Sequence, residues 1–337
     1  MIDIGVEEQL RSYLRDRNIF GDMHRVSIVY YPGGVSGVVA LASDGDKDVI
    51  VKQALSKLKV KDDWQCDPGR IITEHRAHEI YARLVPESVP ATLFADEENK
   101  VIGRVGAPDG TPMWKTQLLA GLLDFRVAAK AIDAMVKIHN ASSRDEAVRR
   151  DFSDNAIFYD LRISPYIERV TEVHPELHEC SLPIVKRLME DKLVLVHGDF
   201  SPKNILVQDD TVYILDYEVA HYGHPSFDLA FFFNHFLLKA VKNKQWADSY
   251  INMLSYMAER YFDAQEVMDS SALQRDTAEL LAFMLLARVD GKSPAEYIVD
   301  EVDKDCIRRA AFAVLRKRAE RIAEVAETVR AAVALYR

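Results

Sequence analysis

Two short apolar runs, Leu193–Val196 and Val212–Leu215, constrain this chain more than any other feature. They frame the segments Leu193-Val194-Leu195-Val196-His197-Gly198-Asp199-Phe200-Ser201-Pro202-Lys203-Asn204-Ile205-Leu206-Val207 and Val212-Tyr213-Ile214-Leu215-Asp216-Tyr217-Glu218. Runs this short and this rich in branched aliphatic residues read as buried strands. The first delivers His-Gly-Asp to a loop, with Asn204 five residues after Asp199, and the second delivers Asp216 twelve residues after Asn204.

Around this segment the 337 residues divide in character. Single cores rarely grow past about 250–300 residues, so two lobes are expected. Val6, Leu10, Tyr13 and Leu14 recur at helical spacing, and strands follow over 26–31, 38–42 and 48–53, with Pro32-Gly33-Gly34-Val35-Ser36-Gly37 reading as a turn. A helix is expected over 71–85, then strands near 91–95 and 100–105. Beyond the Ala107-Pro108-Asp109-Gly110 turn, helical periodicity dominates, as in 125–140 and most of 227–265. The expected lobes are therefore 1–107 and 108–337. The segment 303–337 holds neither Gly nor Pro, and Leu315, Ile322 and Val329 recur every seven residues, so one long helix is expected, packed on its own lobe or paired with another chain.

Composition narrows the partners. With 43 basic and 53 acidic residues the formal charge is −10, which argues against a nucleic-acid backbone and mildly favours a cationic ligand. Cys66, Cys180 and Cys306 are widely spaced, which fits neither a disulfide framework nor a zinc site and agrees with a reducing cytoplasm. The opening residues carry acids where a signal peptide has bases, and the strongest apolar stretch, 280–287, is far short of the roughly 20 residues that span a bilayer. No membrane partner is expected, and the chain is read as a monomer or homodimer.

Phosphoryl transfer from ATP needs an acceptor for the substrate hydroxyl proton and hard oxygen ligands for Mg2+, and Asp199, Asn204 and Asp216 supply both. The eukaryotic-kinase loop H-R-D-x-x-x-x-N has the same spacing, with Gly198 here in place of arginine. The His197-Gly198-Asp199 to Asn204 run, the strand-borne Asp216-Tyr217-Glu218, and the pairs Tyr222-Gly223 and Phe227-Asp228 resemble the aminoglycoside phosphotransferase and choline kinase family. That resemblance implies an α+β, bilobal protein-kinase-like fold, with a small mixed β-sheet N-lobe and a larger, mainly helical C-lobe. It implies Asp199 as the catalytic carboxylate, Asn204 and Asp216 as metal ligands, Glu218 as a metal or substrate contact, and Asp228 as structural. His197 reads as a residue that orients the loop, because Asp199 already fills the proton-accepting role. Lys203 either helps neutralise the transferred phosphate or is an exposed loop lysine.

A kinase of this kind also needs a sheet lysine on the α- and β-phosphates, braced by a helix glutamate. Lys52 is on the right strand. At 100° per residue Glu74 lies near the buried stripe of its helix and Glu79 far from it, so Glu74 is the expected brace. Gly33, Gly34 and Gly37 form either a phosphate-covering hairpin or an ordinary turn, and adenine is expected at the backbone of Val105 and Gly106. Within the family, Val51-Lys52-Gln53-Ala54-Leu55, the spacing from Glu74 to Val89-Pro90, and Glu218-Val219-Ala220-His221-Tyr222-Gly223 are similar to methylthioribose kinases, although Asn204 departs from their loop. Arg162, Tyr166 and Arg308, with Arg288 and Asp290, are the candidate acceptor contacts. Three functions follow as expectations: transfer of the γ-phosphate to a hydroxyl of a small molecule such as a methylthioribose-like sugar, a kinase for an aminoglycoside- or choline-type cation, or a catalytically silent nucleotide-binding regulator.

Overall fold

A computed structural model describes residues 2–31, 37–55, 67–107 and 110–336. The chain divides into two units, Met1–Thr111 and Pro112–Arg337. In the first, α1 (Glu7–Asp16) precedes β1 (Ser27–Tyr30), β2 (Gly37–Ser43) and β3 (Asp48–Ala54), followed by α2 (Arg70–Leu84), β4 (Thr92–Asp96) and β5 (Val101–Val105). The strands form one sheet in the order β1-β2-β3-β5-β4. A mixed sheet was expected, yet every pairing among the described strands is antiparallel. The reason is the route: β4 follows α2 but takes the outer edge, so the strand inserted beside β3 is β5, arriving from a tight hairpin.

Strand alternation sorts this sheet into two faces. Val49 and Val51 of β3 join Leu10 and Leu14 of α1, Ala40, Ala42 and Val101 in one core. The opposite face gathers Ala54, Ile102 and Ile71 of α2. Lys52 has the parity of Ala54, and Arg104 that of Ile102, so both lie on the α2 face. Gly37 is required where β2 meets β3, because a Cβ there would stand 2.6 Å from the Gln53 carbonyl oxygen.

The second unit opens with α3 (Trp114–Leu119), α4 (Phe125–Ser142) and α5 (Glu146–Asp151). A continuous helical segment then runs from α6 (Ala156–Phe158) through a π-helical stretch, Tyr159–Glu168, into α7 (Arg169–Val173), before α8 (His178–Glu190). β6 (Val194–Val196) pairs antiparallel with β9 (His221–Gly223), and β7 (Ile205–Gln208) with β8 (Thr211–Ile214). The two apolar runs are therefore strands, but they pair with different partners and not with each other. The remaining helices are α9 (Ser226–Lys242), α10 (Ala247–Ala264), α11 (Ser270–Asp290), α12 (Glu301–Lys317) and α13 (Ile322–Leu335). Every residue of α9 from Ser226 to Val241 is buried, as befits a helix packed by α10 and α11. Among the described residues no helix is long and apolar enough to cross a membrane.

The single C-terminal helix expected over 303–337 is instead the pair α12 and α13. Arg318 takes a left-handed conformation at φ 51°, its N–H bonded to the Leu315 carbonyl, and the N–H of buried Ala319 reaches back to Val314. This closure needs neither Gly nor Pro. It folds Ile322, Val325 and Val329 back against the same unit, where α13 meets α10 and α12, so the heptad stripe is spent within the chain. Glycine at position 318 removes a left-handed penalty of roughly 1–2 kcal/mol, offset in part by its greater chain entropy when unfolded. Arg318→Gly is therefore expected to stabilise the protein by about 0.5–1 kcal/mol in urea unfolding.

Acid stability has a local source in β9. His221 is buried, stacked on Phe158 at 3.9 Å, with Nδ1 3.1 Å from the Val219 carbonyl oxygen. Burial holds its pKa down at about 4. The unfolded chain, with an ordinary histidine, takes up protons between pH 6.5 and 4 that the native state refuses, so stability falls as pH falls through that window. His221 alone accounts for a loss of about 3 kcal/mol by pH 4. Urea midpoints measured from pH 7 to 4 should decline, and less steeply in His221→Gln.

Candidate functional site

In the first unit Lys52 Nζ lies 2.7 Å from Glu74 Oε2, and Glu74 is buried. Glu79, the rejected brace, is largely exposed and lies 4.0 Å from His75. Arg104 is a partner the sequence reading missed: its Nη1 donates to Glu74 Oε1 at 2.9 Å. Register explains the triad, because Lys52 pairs with Ile102 and Ile50 with Arg104, which makes the two cations diagonal neighbours on adjacent strands. The glutamate sits between them with one oxygen for each.

The residues expected at adenine have their N–H groups engaged. Val105 N–H donates to the Ala91 carbonyl and Gly106 N–H to that of Asp48, both at 2.8 Å. These donors are spent in holding the sheet edge, so Val105 and Gly106 can offer a purine only carbonyl oxygens. Gly33 and Gly34 lie outside the described residues.

In the second unit the His-Gly-Asp loop is held from beneath by Asp228, at the start of α9. Its Oδ2 accepts from His197 N–H at 2.7 Å and its Oδ1 from Gly198 N–H at 2.9 Å. His139 bridges this carboxylate at 3.3 Å to the Tyr261 hydroxyl at 2.6 Å. Burial pushes the Asp228 pKa up, but His139 and the His197 backbone outweigh it and the net direction is down. Gly198 has φ +77°, and a Cβ would stand 2.6 Å from the Val219 carbonyl oxygen, so the arginine of the protein-kinase loop has no room here. His197 is buried, its Nδ1 accepts from Asp199 N–H at 3.2 Å, and burial lowers its pKa. A neutral ring that accepts from the loop backbone is orienting the loop.

Asp199 is buried with its two oxygens in different situations. Oδ2 receives Lys203 Nζ and Asn204 Nδ2, each at 2.9 Å. Oδ1 makes only a 3.2 Å ion-pair approach to Arg162 Nη2 and has no hydrogen bond among the described residues. Arg162 also donates from Nε to the Gly198 carbonyl at 2.6 Å and from Nη1 to Leu161 at 2.7 Å. Its guanidinium is thus engaged with the loop and with Asp199.

The Asn204 amide nitrogen is also bonded to the Asp199 carbonyl at 3.0 Å, so its oxygen is the end turned to other ligands. Leu215 N–H donates to the Asn204 carbonyl at 2.9 Å and thereby ties the Asp216 turn to this loop. Asp216 itself has φ 69°, a conformation aspartate tolerates better than most residues. Carboxylate oxygens of Asp216 and Glu218 lie within 4.8 Å of each other. Two carboxylates and an amide oxygen form a hard donor set that suits Mg2+.

Of the remaining acceptor candidates, Tyr166 is buried and accepts from Arg288 Nη1 at 3.1 Å. Arg308 is engaged elsewhere. Its Nη2 and Nε grip Asp290 at 2.7 and 3.0 Å, and the same carboxylate is held by His174 at 2.8 Å. That bidentate pair ties α12 to the end of α11 and leaves the guanidinium little capacity for a substrate.

The profile described as "Phosphotransferase enzyme family" matches residues 27–262. A methylthioribose kinase of Geobacillus kaustophilus is 25% identical over 226 residues, covering 58% of this chain and 56% of that enzyme, so the chain spans little more than half of that curated relative. A choline/ethanolamine kinase family protein of Mesorhizobium loti aligns over 98% of this chain and 99% of its own, with TM-score 0.54 and 15% identity. An amicoumacin kinase solved with AMP-PNP and Ca2+ aligns over 95% and 98%, with TM-score 0.51 and 13% identity. Likeness at these identities establishes the fold, which is kinase-like. Because the matched profile spans well over half the chain and takes in Lys52, Glu74 and the whole stretch from His197 to Glu218, the chain belongs to the phosphotransferase enzyme family.

Proposed function

We propose that this protein transfers the γ-phosphate of ATP to a hydroxyl group of a small molecule. The observation that carries the reading is the asymmetry of Asp199, whose Oδ2 is fixed by Lys203 and Asn204 while Oδ1 has no hydrogen bond. A carboxylate so held can orient an acceptor hydroxyl and take its proton through Oδ1 as phosphoryl transfer proceeds. Lys52, braced by Glu74, would hold the nucleotide phosphates, and Asn204, Asp216 and Glu218 would hold Mg2+. When bound, the cation would neutralise charge on the phosphates. A structural neighbour supports the nucleotide: the amicoumacin kinase was solved with AMP-PNP and Ca2+. A silent regulator is disfavoured because Lys52, Asp199, Asn204 and Asp216 are all in place.

For the acceptor, methylthioribose is the first compound to try, since the curated relatives are named for it. Aminoglycosides and choline follow, in keeping with the second expectation.

Asp199→Asn should lower turnover by about 10²–10⁴ while leaving nucleotide affinity nearly unchanged, because the carboxylate acts on the hydroxyl. Near-normal turnover in an ADP-release assay would remove Asp199 from this role. Asp216→Ala should abolish magnesium-dependent ATP binding, as alanine offers a hard cation no ligand. Calorimetry finding equal Mg-ATP affinity in variant and parent would contradict the metal assignment.

A further inference from the structure

Two buried basic side chains of the second unit have no carboxylate partner among the described residues. Arg288, near the end of α11, is 9% exposed; its Nη1 donates to the hydroxyls of Tyr166 and Ser293, each at 3.1 Å, and to the Ser293 carbonyl. Its Nε has no hydrogen bond, and no carboxylate among the described residues pairs with it. Lys239 of α9 is 0% exposed and donates only to the His235 carbonyl at 3.2 Å, with its Nζ 5.1 Å from the centre of the Tyr297 ring. The acid that acts on it, Glu296, is taken by Lys115 at 2.6 Å. Between them stands His235, 5% exposed, with Nε2 unbonded, and the Tyr297 hydroxyl also lacks a partner.

At Tyr166, His235 and Lys239 the surrounding potential is positive. Burial raises the Tyr166 phenol, yet Arg288 and Arg162 outweigh it and the net direction is down. His235 is driven well below its usual range by burial and then by Lys239, Arg288, Lys203 and Lys115 in turn. Burial, reinforced by Lys115 and Arg288 and opposed by Glu296, brings Lys239 down to about 7. The chain as a whole is acidic, with 53 acids to 43 bases, so this local excess of positive charge runs against its average.

The cluster is contiguous with the catalytic carboxylate. Arg162 pairs with Asp199 and lies over the rings of Tyr166 and Phe231, at 5.9 and 5.3 Å. Tyr166 receives Arg288, and Phe231 packs edge-on against His235 at 5.6 Å. A buried cation without a partner is costly, and sites that keep one are completed by a ligand of opposite charge. An ammonium acceptor would meet like charge here, and a neutral polyol would leave both cations unpaired.

Resting on the kinase reading above, we infer that the acceptor carries an oxyanion beside its hydroxyl, a carboxylate or a phosphate monoester, and that Arg288 and Lys239 bind it. Arg288 supplies the unbonded Nε and Lys239 its Nζ, with His235 Nε2 and the Tyr297 hydroxyl as neighbouring unbonded polar groups. Arg162 and Lys203, already engaged by Asp199, add to the field without taking the ligand.

Thermal unfolding of the full chain at constant ionic strength tests this with D-glycerate, glycerol 3-phosphate, glycerol and choline. At least one of the two anions should raise the unfolding temperature by about 2 °C or more, and glycerol and choline should not. Which anion does so tells carboxylate from phosphate. The shift should be reduced or lost in both Arg288→Met and Lys239→Met. Lys239→Met should itself unfold at or above the parent temperature, because an apolar chain replaces an unpaired buried charge. No shift from either anion, an equal shift from glycerol or choline, or a shift undiminished in either variant would overturn the inference. ADP release from the same four compounds separates the two levels: turnover of a neutral acceptor without an anion shift sinks the oxyanion pocket and leaves the kinase reading standing. An anion shift with no ADP release from any acceptor that depends on Asp199 does the reverse.

Discussion

The catalytic loop depends on one buried carboxylate. Asp228 accepts the N–H groups of His197 and Gly198, and Arg162 takes the Gly198 carbonyl from the other direction, so this residue is gripped at both ends of its backbone. Such a grip can hold glycine at φ +77°, and it leaves Asp199 at a fixed place above the end of β6. The carboxylate is itself held by His139 and, through that ring, by Tyr261 of α10. A buried acid with hydrogen bonds to ring and backbone is stable where an unpaired one would not be. The position of Asp199 is thus set by His139, Asp228 and Tyr261, residues of α4, α9 and α10.

In each unit a buried acid is held by basic partners. Asp199 stands between Arg162 and Lys203, and Glu74 between Lys52 and Arg104. At Glu74 two cations hold the carboxylate by both of its oxygens, which removes rotation about the carboxyl group that a single partner would leave, whereas at Asp199 the hydrogen-bonded partners, Lys203 and Asn204, are both on Oδ2. Preorganisation of this kind favours chemistry because no reorientation is needed at the moment of transfer.

Much of this was legible in the sequence, and the exceptions share causes. Strand parity and helical phase are local properties, so Lys52, Glu74 and the two apolar strands could be placed from the residues alone. Arg104 was missed because a lone arginine in Val101–Val105 looks like a solvent-facing strand residue, and only the register with β3 sets it against Glu74. The pairing of Arg308 with Asp290 was hidden for a similar reason: Asp290 lies across the loop between α11 and α12, out of reach of any helical rule. The antiparallel order came from a crossing that strand counting does not reveal. The break at Arg318 came from a left-handed cap built without glycine, which a search for Gly and Pro passes over. That the backbone N–H groups of Val105 and Gly106 are engaged within the sheet likewise depends on pairing that the sequence does not show.

The helix α9 joins these themes. Asp228, Phe231, His235 and Lys239 follow the spacing of one helical face, and their contacts agree with it: the first clamps the catalytic loop, the second lies under Arg162, and the last two enter the cluster around Arg288 and Tyr297. At 1.5 Å per residue the separation along the axis from Asp228 to Lys239 is about 16 Å. A fully buried helix does not bend easily, because neighbours fill every side of it. The carboxylate that sets the loop and the ammonium in the cation cluster are therefore held at a fixed interval by one rigid element. Polar residues inside an otherwise apolar helix such as Phe231-Phe232-Phe233-Asn234-His235-Phe236-Leu237-Leu238-Lys239 are poor core material, and their retention there is understandable once the face they occupy is seen to run along the reactive centre.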